Sequence, residues 1–402
     1  MSQIMFKNMS GKYDFRWWFG LLRVSLSKLL VRLIPKDKNL ILFNSWFGNK
    51  YADSCKYVYE YLLDNSSYKI YWLTRNQEVY DKLVSEGKPV LRYDSLRAKW
   101  KQMRCAAACS STQLSDFNQW FFSGSILLDL NHGYPFKTSA QINTDKKGRI
   151  WHEVMLRFIR YYAIMPSDFC KHHYDVLPLS PEKIIISDFA RNDVYFDESL
   201  RKGINKNINE IKGSNKAIVY MPTHRKEGAA ILDMHELLPL KEIDDFCEAN
   251  GWEFIIKKHF YHRREIEDFS SFKHIHDITS DSSVDSQVIL YQADVLISDY
   301  SSCYIDYLLL DRPLIFYHFD IEEFQKKERN IILPFDQLDF CPRAKTKNEL
   351  FLNIQDICTS AEDKYAEKRN AFVPTYFENS NFSEGRLKTK AILDKLIKQY
   401  YS

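Results

Sequence analysis

Imidazole, cationic and hydroxyl side chains come directly after four apolar runs of this sequence. The residues concerned are His132 and Lys137 beyond LLDLN, Thr223 and Arg225 beyond AIVYMP, His259 beyond FIIKK, and Ser301 and Ser302 beyond VLIS. A nucleoside diphosphate requires cations and N–H donors for its oxygens, and an attacking hydroxyl requires a base that titrates near neutrality. The set therefore predicts phosphoryl chemistry, although any one of these histidines taken alone is more often a packed or surface residue.

Ser301 and Ser302 stand where the N-cap of a helix belongs. The apolar run Val295–Ser298 predicts a buried parallel strand, and helical spacing continues over Tyr304–Leu310. A helix that begins at the carboxyl end of a parallel strand offers free N–H groups and a positive dipole to an anion. A well-capped βαβ unit that binds no ligand is the alternative interpretation.

Alternating strand and helix patterns predict an α/β protein with two doubly wound, Rossmann-type domains. The strands are expected at Leu40–Phe43, Lys69–Trp72, Pro89–Arg92, Ala106–Ser111 and Ile126–Leu130, with YYAIMPS and KIIISDF after them, and then at 216–222, 253–259, 273–279, 294–298 and 313–317. The polar stretch Lys202–Asn215 is the best boundary, which gives domains 39–205 and 206–402. The last helices, within Lys347–Tyr400, are expected to pack back on the first domain. A ligand is expected in the cleft between the domains.

The overall composition excludes several functional classes. A net charge of +3 over 402 residues is too small for a nucleic-acid binder. The eight cysteines are scattered without a C-x-x-C motif, which fits a reducing compartment and offers no zinc spacing. Because no acidic pair stands out as a magnesium site, no tightly bound metal is expected, and loosely bound Mg²⁺ remains open. Neither a secretory signal nor a long uninterrupted apolar run is present.

The N-terminal segment 1–38 contains the basic, aromatic stretch Phe15–Lys36. Its apolar pattern is interrupted by Arg23, Lys28 and Arg32, which are too frequent for a bilayer core. A helix lying at an anionic membrane surface accommodates such charges. The alternative is a packing helix whose basic side chains reach out to solvent.

Several of these motifs resemble those of the CDP-glycerol glycerophosphotransferase family, which includes the teichoic acid primases and polymerases. HGYPFKT is similar to the family's H-G-T-P-L-K, YMPTHR to Y-x-P-T-W-R and KKHF to R-x-H-P. ISDYSSCYIDYLLLDRPLIFY resembles T-D-Y-S-S-x-x-F-D-Y followed by a K-P-I-x-F strand. NSWFGNKYADSC and ARNDVYF are weaker echoes of two further family segments. The resemblance runs in the same order from about Leu40 to Phe319.

The resemblance implies a GT-B-like architecture with an interdomain cleft, bound peripherally at the cytoplasmic face of the cell membrane. The implied donor is an alditol phosphate, glycerol phosphate first, activated as its CDP derivative. The implied acceptor is a lipid-linked saccharide or a growing poly(alditol phosphate), and CMP is released. The product belongs to teichoic acid or a related surface or capsular polymer.

Roles for individual residues follow from the same resemblance. His132 would be the general base that deprotonates the acceptor hydroxyl, and His259 would steady or protonate the phosphates. Three residues, Arg225, Ser301 and Ser302, would hold the pyrophosphate, with Thr223 and Lys137 close by. Asp306 matches a family aspartate taken as a contact to the donor's polyol or ribose, with a carboxylate that only holds the loop as the alternative.

The sequence departs from the family pattern near the expected centre. Asn44 replaces a glutamate, Tyr134 a threonine, His224 a tryptophan and Phe260 a proline. Since Tyr134 and Phe260 are bulky, ribitol phosphate or a capsular acceptor also fits. Two further alternatives are a glycosyltransferase of the same architecture, which would release a nucleoside diphosphate, and a membrane-surface scaffold without turnover.

Overall fold

Two parallel β-sheets with helices packed against them make up the chain. The computed structural model describes residues 15–135, 146–174, 179–201, 206–223, 225, 232–259, 267–280, 285–327, 332–333, 337–378 and 382–401. The first sheet contains β1 (Asp37–Phe43), β2 (Lys69–Thr74), β3 (Val90–Arg92), β4 (Cys105–Ser110), β5 (Ile126–Asp129), β6 (Arg160–Met165) and β7 (Ile184–Ile186). The second contains β8 (Lys216–Met221), β9 (Trp252–Ile256), β10 (Ile275–Asp277), β11 (Val295–Ser298), β12 (Leu314–Tyr317) and β13 (Arg343–Ala344).

Helices connect and cover these strands. They are α1 (Phe15–Arg32), α2 (Asp53–Asn65), α3 (Gln77–Ser85), α4 (Leu96–Arg104), α5 (Lys146–Leu156), α6 (Lys206–Lys212), α7 (Met234–Leu237), α8 (Leu240–Asn250), α9 (Ser286–Gln292), α10 (Cys303–Leu308), α11 (Ile321–Lys327), α12 (Lys347–Thr359), α13 (Ala366–Tyr376) and α14 (Gly385–Tyr401). Short 3₁₀ turns include Trp46–Gly48, Gln113–Asp116 and Ala190–Tyr195.

The strand order has the doubly wound pattern in both sheets. It is β3-β2-β1-β4-β5-β6-β7 in the first and β10-β9-β8-β11-β12-β13 in the second, with every pairing parallel. The order reverses between β1 and β4 and again between β8 and β11. Ligands of such sheets bind outside the carboxyl ends of the strands at this reversal. The predicted α/β class with parallel sheets is confirmed.

Continuous apolar runs explain the central strands, because these strands are covered on both faces. Every residue of β4, β5, β9, β11 and β12 is buried. The predicted strands are present with shifted ends, and 273–279 is reduced to β10. The helix expected over Tyr304–Leu310 ends earlier, at Leu308, since Asp311 takes a positive φ of 46° and turns the chain toward Pro313.

The C-terminal helix α14 packs against the first sheet and its helices. The Tyr68 hydroxyl donates to Asp394 at 2.6 Å, and the Tyr401 hydroxyl donates to the carbonyl of Ala106 at 3.1 Å. The polar stretch Lys202–Asn215 lies between the last strand of the first sheet and the first strand of the second. Its residues 202–205 fall outside the described residues, and the domain boundary stays a prediction.

Helix α1 is apolar on two opposite faces. Its inner face, with Trp17, Leu21 and Val24, packs against α5 at Met155. Lys28 is also buried there and donates to the carbonyl of Phe122 at 2.8 Å, and burial lowers the pKa of its ammonium to about 8. This face therefore fits the packing-helix interpretation.

The opposite face of α1 carries a continuous row of exposed apolar side chains, called here the outer stripe. Its members are Phe15, Trp18, Phe19, Leu22, Leu26, Leu29, Leu30 and Leu33 just beyond the helix end. At about 100° per residue these positions fall on one side of the helix, away from the inner face. No helix among the described residues is long and apolar enough to cross a bilayer.

Candidate active site

The His132 loop leaves the carboxyl end of β5, the strand next to β4 and therefore close to the strand reversal of the first sheet. Asn131, directly before the histidine, has a positive φ of 54°, a region in which asparagine is tolerated better than most residues. Its amide donates to the carbonyl of Ile164 at 3.0 Å, which holds this turn on β6. The turn leaves the side chain of His132 exposed.

The imidazole of His132 has a defined hydrogen-bond partner. Its Nδ1 lies 2.7 Å from the carbonyl oxygen of Ser111, the residue that follows β4. Because a carbonyl oxygen only accepts, Nδ1 must carry the hydrogen in this contact. In the neutral ring the lone pair is then on Nε2, the atom that a general base uses.

Trp46 lies between the two candidate catalytic histidines. Its ring centroid is 4.9 Å from that of His132 and 6.2 Å from that of His259, which comes from the loop after β9. The indole N–H donates to the carboxylate of Asp53. Burial raises the pKa of Asp53, an effect that the positive charge of Arg191 opposes. One indole thus joins the loops that carry both imidazoles.

The loop of Trp46 has an unusual backbone that a buried carboxylate supports. Trp46 and Phe47 have φ values of 51° and 59°, which bulky residues rarely adopt. The Phe47 N–H donates to Asp116 at 2.7 Å, and the N–H groups of Ser111 and Thr112 donate to the same carboxylate at 2.9 Å each. Burial raises the pKa of Asp116 despite these hydrogen bonds. Asp116 therefore fixes both the loop of Trp46 and the carbonyl that orients His132.

The second sheet contributes the Ser301-Ser302 turn. A Cβ built on Gly133 would lie 3.1 Å from the Ser302 Oγ, so the glycine lets the His132 loop approach this turn closely. Ser302 is the N-cap of α10, but its side chain makes no capping hydrogen bond. The Ser301 Oγ accepts from the N–H of Cys303 at 3.4 Å. Both serines are partly exposed.

Thr223 and Arg225 have partners that differ from the expected donor contact. The Arg225 guanidinium is buried and donates to Asp299 at 3.0 Å and to Asp320 at 2.9 and 3.1 Å. The hydroxyl of Thr223 donates to Asp299 at 2.6 Å. Their polar groups are used beside the second sheet, where they join the loop after β8 to the loop that leads to Ser301. These contacts give Arg225 a supporting position beside Asp299, and its expected contact with the pyrophosphate stays a prediction.

Asp306 is also engaged within the protein. It is buried, accepts from the Tyr134 hydroxyl at 2.7 Å and forms an ion pair with Arg191 at 3.2 Å. Gln287 donates to its other oxygen at 3.4 Å, and Asn192 donates to the Tyr134 hydroxyl at 2.9 Å. We call these five residues the Tyr134–Asp306 hub. These contacts fit the alternative, a carboxylate that holds the loop, and the expected contact of Asp306 with the polyol or ribose stays a prediction.

Lys137, His224 and Phe260 lie outside the described residues. Within the described ranges, no group of three or more His, Cys, Asp or Glu side chains is arranged to hold a metal ion.

Sequence reasoning did not single out Trp46, Asp53, Asp116 and Arg191. Three of them lie in the weaker family echoes, NSWFGNKYADSC and ARNDVYF. The order in which these segments occur could have indicated that they meet at the site. Asp116 gave no such signal, because a lone aspartate in a polar loop is common.

Known proteins with similar sequences and folds cover nearly the whole chain. The teichoic acid glycerol-phosphate transferase of Staphylococcus aureus is 24% identical over 371 residues, which are 86% of this chain and 90% of that protein. The teichoic acid ribitol-phosphate primase of Bacillus spizizenii is 26% identical over 88% of this chain and 90% of its own length. The solved wall teichoic acid polymerase TagF superposes with a TM-score of 0.73 at 20% identity, covering 96% of this chain and 98% of that one. This last likeness shows a shared fold.

A family profile matches the chain over residues 26–390. That range includes both sheets, the His132 loop, the Trp46 loop and the Ser301-Ser302 turn. The profile describes CDP-glycerol:poly(glycerophosphate) glycerophosphotransferases. The chain belongs to this family.

Proposed function

We propose that the chain transfers an alditol phosphate, glycerol phosphate in the first place, from its CDP-activated form to an acceptor hydroxyl. The acceptor is a lipid-linked saccharide or a growing poly(alditol phosphate), and CMP is the leaving group. Membership of the family supports the donor and the reaction type. One observation carries the chemistry: the Ser111 carbonyl fixes Nδ1 of His132, which leaves Nε2 as the base.

The transfer step follows from this tautomer. Nε2 of His132 takes the proton of the acceptor hydroxyl, and the oxygen attacks the β-phosphorus of the donor. The bond between that phosphorus and the bridging oxygen breaks, and CMP departs with the electron pair. His259, on the other side of Trp46, steadies or protonates the phosphate oxygens. The hydroxyls of Ser301 and Ser302 face the same cleft and donate to the pyrophosphate.

Three further predicted donor residues, Arg225, Thr223 and Asp306, hold the reacting loops in place. Arg225 and Thr223 fix Asp299, two residues before Ser301, and so set the geometry of the serine turn. Asp306 and its hub hold the His132 loop against the second domain. Positioning of this kind dominates phosphoryl transfer, since the protein forms no covalent intermediate. Lys137 stays a predicted phosphate contact.

Glycerol and ribitol phosphate both remain donor candidates, with glycerol leading. The bulk of two residues near the expected centre, Phe260 and Tyr134, is the reason to consider ribitol phosphate. Phe260 lies outside the described residues, whereas Tyr134 is described. Its ring is buried and its hydroxyl is bonded to Asp306, so it does not face the cleft. The sequence relative that acts on ribitol phosphate keeps the alternative open.

Helix α1 supports association with the cytoplasmic face of the membrane. Its outer stripe is an exposed apolar row, with Arg16, Arg23 and Arg32 on its flanks. Such a helix lies in the plane of the interface with its apolar side in the acyl boundary. An acceptor that is anchored in the bilayer would then be presented close to the cleft.

Incubation with CDP-glycerol or CDP-ribitol and membrane acceptor, with nucleotide analysis, tests the proposal. We expect CMP, and a fall in turnover of about 10²–10⁴-fold for His132→Gln. His235→Gln is the matched control, because His235 lies on α7 and packs on Phe269 outside the cleft. Release of a nucleoside diphosphate would indicate a glycosyltransferase instead. No turnover with either donor would favour a scaffold.

A further inference from the structure

An open, basic pocket of about 370 Å³ lies at the edge of the first sheet opposite the candidate active site. Its lining includes Arg32, Lys36, Lys38, Gly124, Arg160 and Tyr401. Lys36 directly precedes β1, Gly124 precedes β5 and Arg160 begins β6, so the pocket is at the amino ends of the strands. His132 follows β5 at its carboxyl end. The pocket is therefore a separate feature from the cleft.

Gly124 brings two of the cations together. Its φ of 71° favours glycine, and a Cβ there would lie 3.2 Å from Cε of Lys36 and 3.4 Å from Cγ of Arg32. The Lys36 ammonium donates to the carbonyls of Met103 and Ser123 at 2.5 Å each. The aliphatic parts of the Lys36 and Arg32 side chains thus pack against the backbone of Gly124, where a larger residue would be crowded.

Arg160 is held just as firmly. Its guanidinium donates to the carbonyl of Gly124 and to the Tyr401 hydroxyl at 3.2 Å. It also packs over the rings of Tyr400 and Tyr401, with its central carbon 4.5 and 5.3 Å from their centroids. A fixed guanidinium loses little conformational entropy when it binds an anion.

Among the described residues, none of the four cations Arg32, Lys36, Lys38 and Arg160 forms an ion pair. The nearby Asp37 pairs with Lys69 at 3.2 Å instead. Burial lowers the pKa of Lys36, and the charge of Arg160 lowers it further. An anion in the pocket would compensate this repulsion.

We propose that this pocket binds the phosphate of an anionic phospholipid headgroup. A water-soluble phosphate ester has the same chemistry, but the outer stripe favours the lipid. The stripe ends at Leu30 and Leu33, and Leu33, which is 80% exposed, is itself part of the pocket lining. Apolar side chains for the acyl boundary and cations for the headgroup therefore adjoin. The site rests on the membrane association proposed above and is independent of the transfer chemistry.

Sedimentation with vesicles tests the site. The variant Arg32→Gln/Lys38→Gln removes two lining cations that make no hydrogen bond within the described residues, so the fold should be retained. Lys82→Gln/Arg97→Gln removes the same charge from exposed positions on α3 and α4. With phosphatidylglycerol vesicles, the first variant should bind about twenty-fivefold more weakly, at about fivefold per cation, and the control less than about threefold. Pure phosphatidylcholine vesicles should show little difference.

Other outcomes would overturn the assignment. If both variants weaken vesicle binding equally, the attraction comes from the overall positive charge of the surface and not from a specific pocket. Calorimetric binding of inorganic phosphate that depends on Arg32 and Lys38, together with unchanged vesicle binding, would assign the pocket to a water-soluble anion. Failure of the unaltered protein to bind any vesicle would refute both this site and membrane association. CMP release with a water-soluble acceptor then reports separately whether the transfer function holds.

Discussion

The Tyr134–Asp306 hub predicts that one hydroxyl, that of Tyr134, controls the position of the catalytic loop. Tyr134 is two residues beyond His132 and one beyond Gly133, which meets Ser302 across the cleft. Burial raises the pKa of the Tyr134 phenol well above its ordinary value, so the group remains a donor to Asp306. The variant Tyr134→Phe keeps the ring and removes only the hydroxyl.

The size of the effect follows from the hydrogen bonds that are lost. The bond to the Asp306 carboxylate is worth about 1.5–3 kcal/mol, and the Asn192 amide loses a neutral bond of about 1 kcal/mol. The free energy of unfolding should therefore fall by about 3 kcal/mol. If the loop that carries His132 shifts by about 1 Å, turnover should fall by up to about 10²-fold.

Tyr68→Phe is the matched control, since it removes a Tyr–Asp hydrogen bond of similar length to Asp394 of α14, far from the cleft. The assay measures kcat and KM for CMP release, beside urea unfolding of each variant. We expect both variants to lose stability and only Tyr134→Phe to lose kcat. Tyr134→Phe with unchanged kcat and KM, at a temperature where it is folded, would refute the positioning role of the hub.

Three further predictions concern stability. Gly385→Ala should lower the free energy of unfolding by about 1–3 kcal/mol, because its Cβ would lie 2.8 Å from the backbone of Ala190. Gly20→Ala is the control, because a Cβ there meets nothing within 4 Å. It should be neutral or stabilise α1 by up to about 1 kcal/mol. Arg225→Met should cost about 3–5 kcal/mol in urea unfolding, since it leaves two carboxylates without their counter-charge; a variant as stable as the parent protein would contradict the supporting position. Burial lowers the pKa of His318 from 6.5 to about 4 in the folded protein. Between these two pH values the unfolded chain therefore binds more protons than the folded one. The free energy of unfolding falls as the pH is lowered through this window. The loss should reach about 2 kcal/mol at pH 5 and disappear in His318→Gln, and an unchanged pH profile in that variant would argue against this cause.

The sequence predicted the strands well because buried parallel strands require apolar runs, and the reactive side chains follow those runs directly. Its limit is visible at Arg225. An arginine after a strand looks the same in sequence whether it meets a phosphate or a carboxylate, and its partner Asp320 is 95 residues away. The partner of Asp306 is equally distant in sequence, since Tyr134 is 172 residues from it. Residue type gives the chemistry of a side chain, and only the fold gives its partner.

The backbone of Trp46 and Phe47 explains why the site depends on residues outside the recognised motifs. Positive φ values at bulky residues cost about 1–3 kcal/mol each and persist only where surrounding contacts compensate them. Asp116 supplies that compensation with the same carboxylate that binds the N–H of Ser111. Since the Ser111 carbonyl sets the tautomer of His132, relaxation of the Trp46 loop would also disturb the base. The strained loop and the histidine are therefore one unit, and a substitution at Asp116 should affect catalysis although its side chain does not face the cleft.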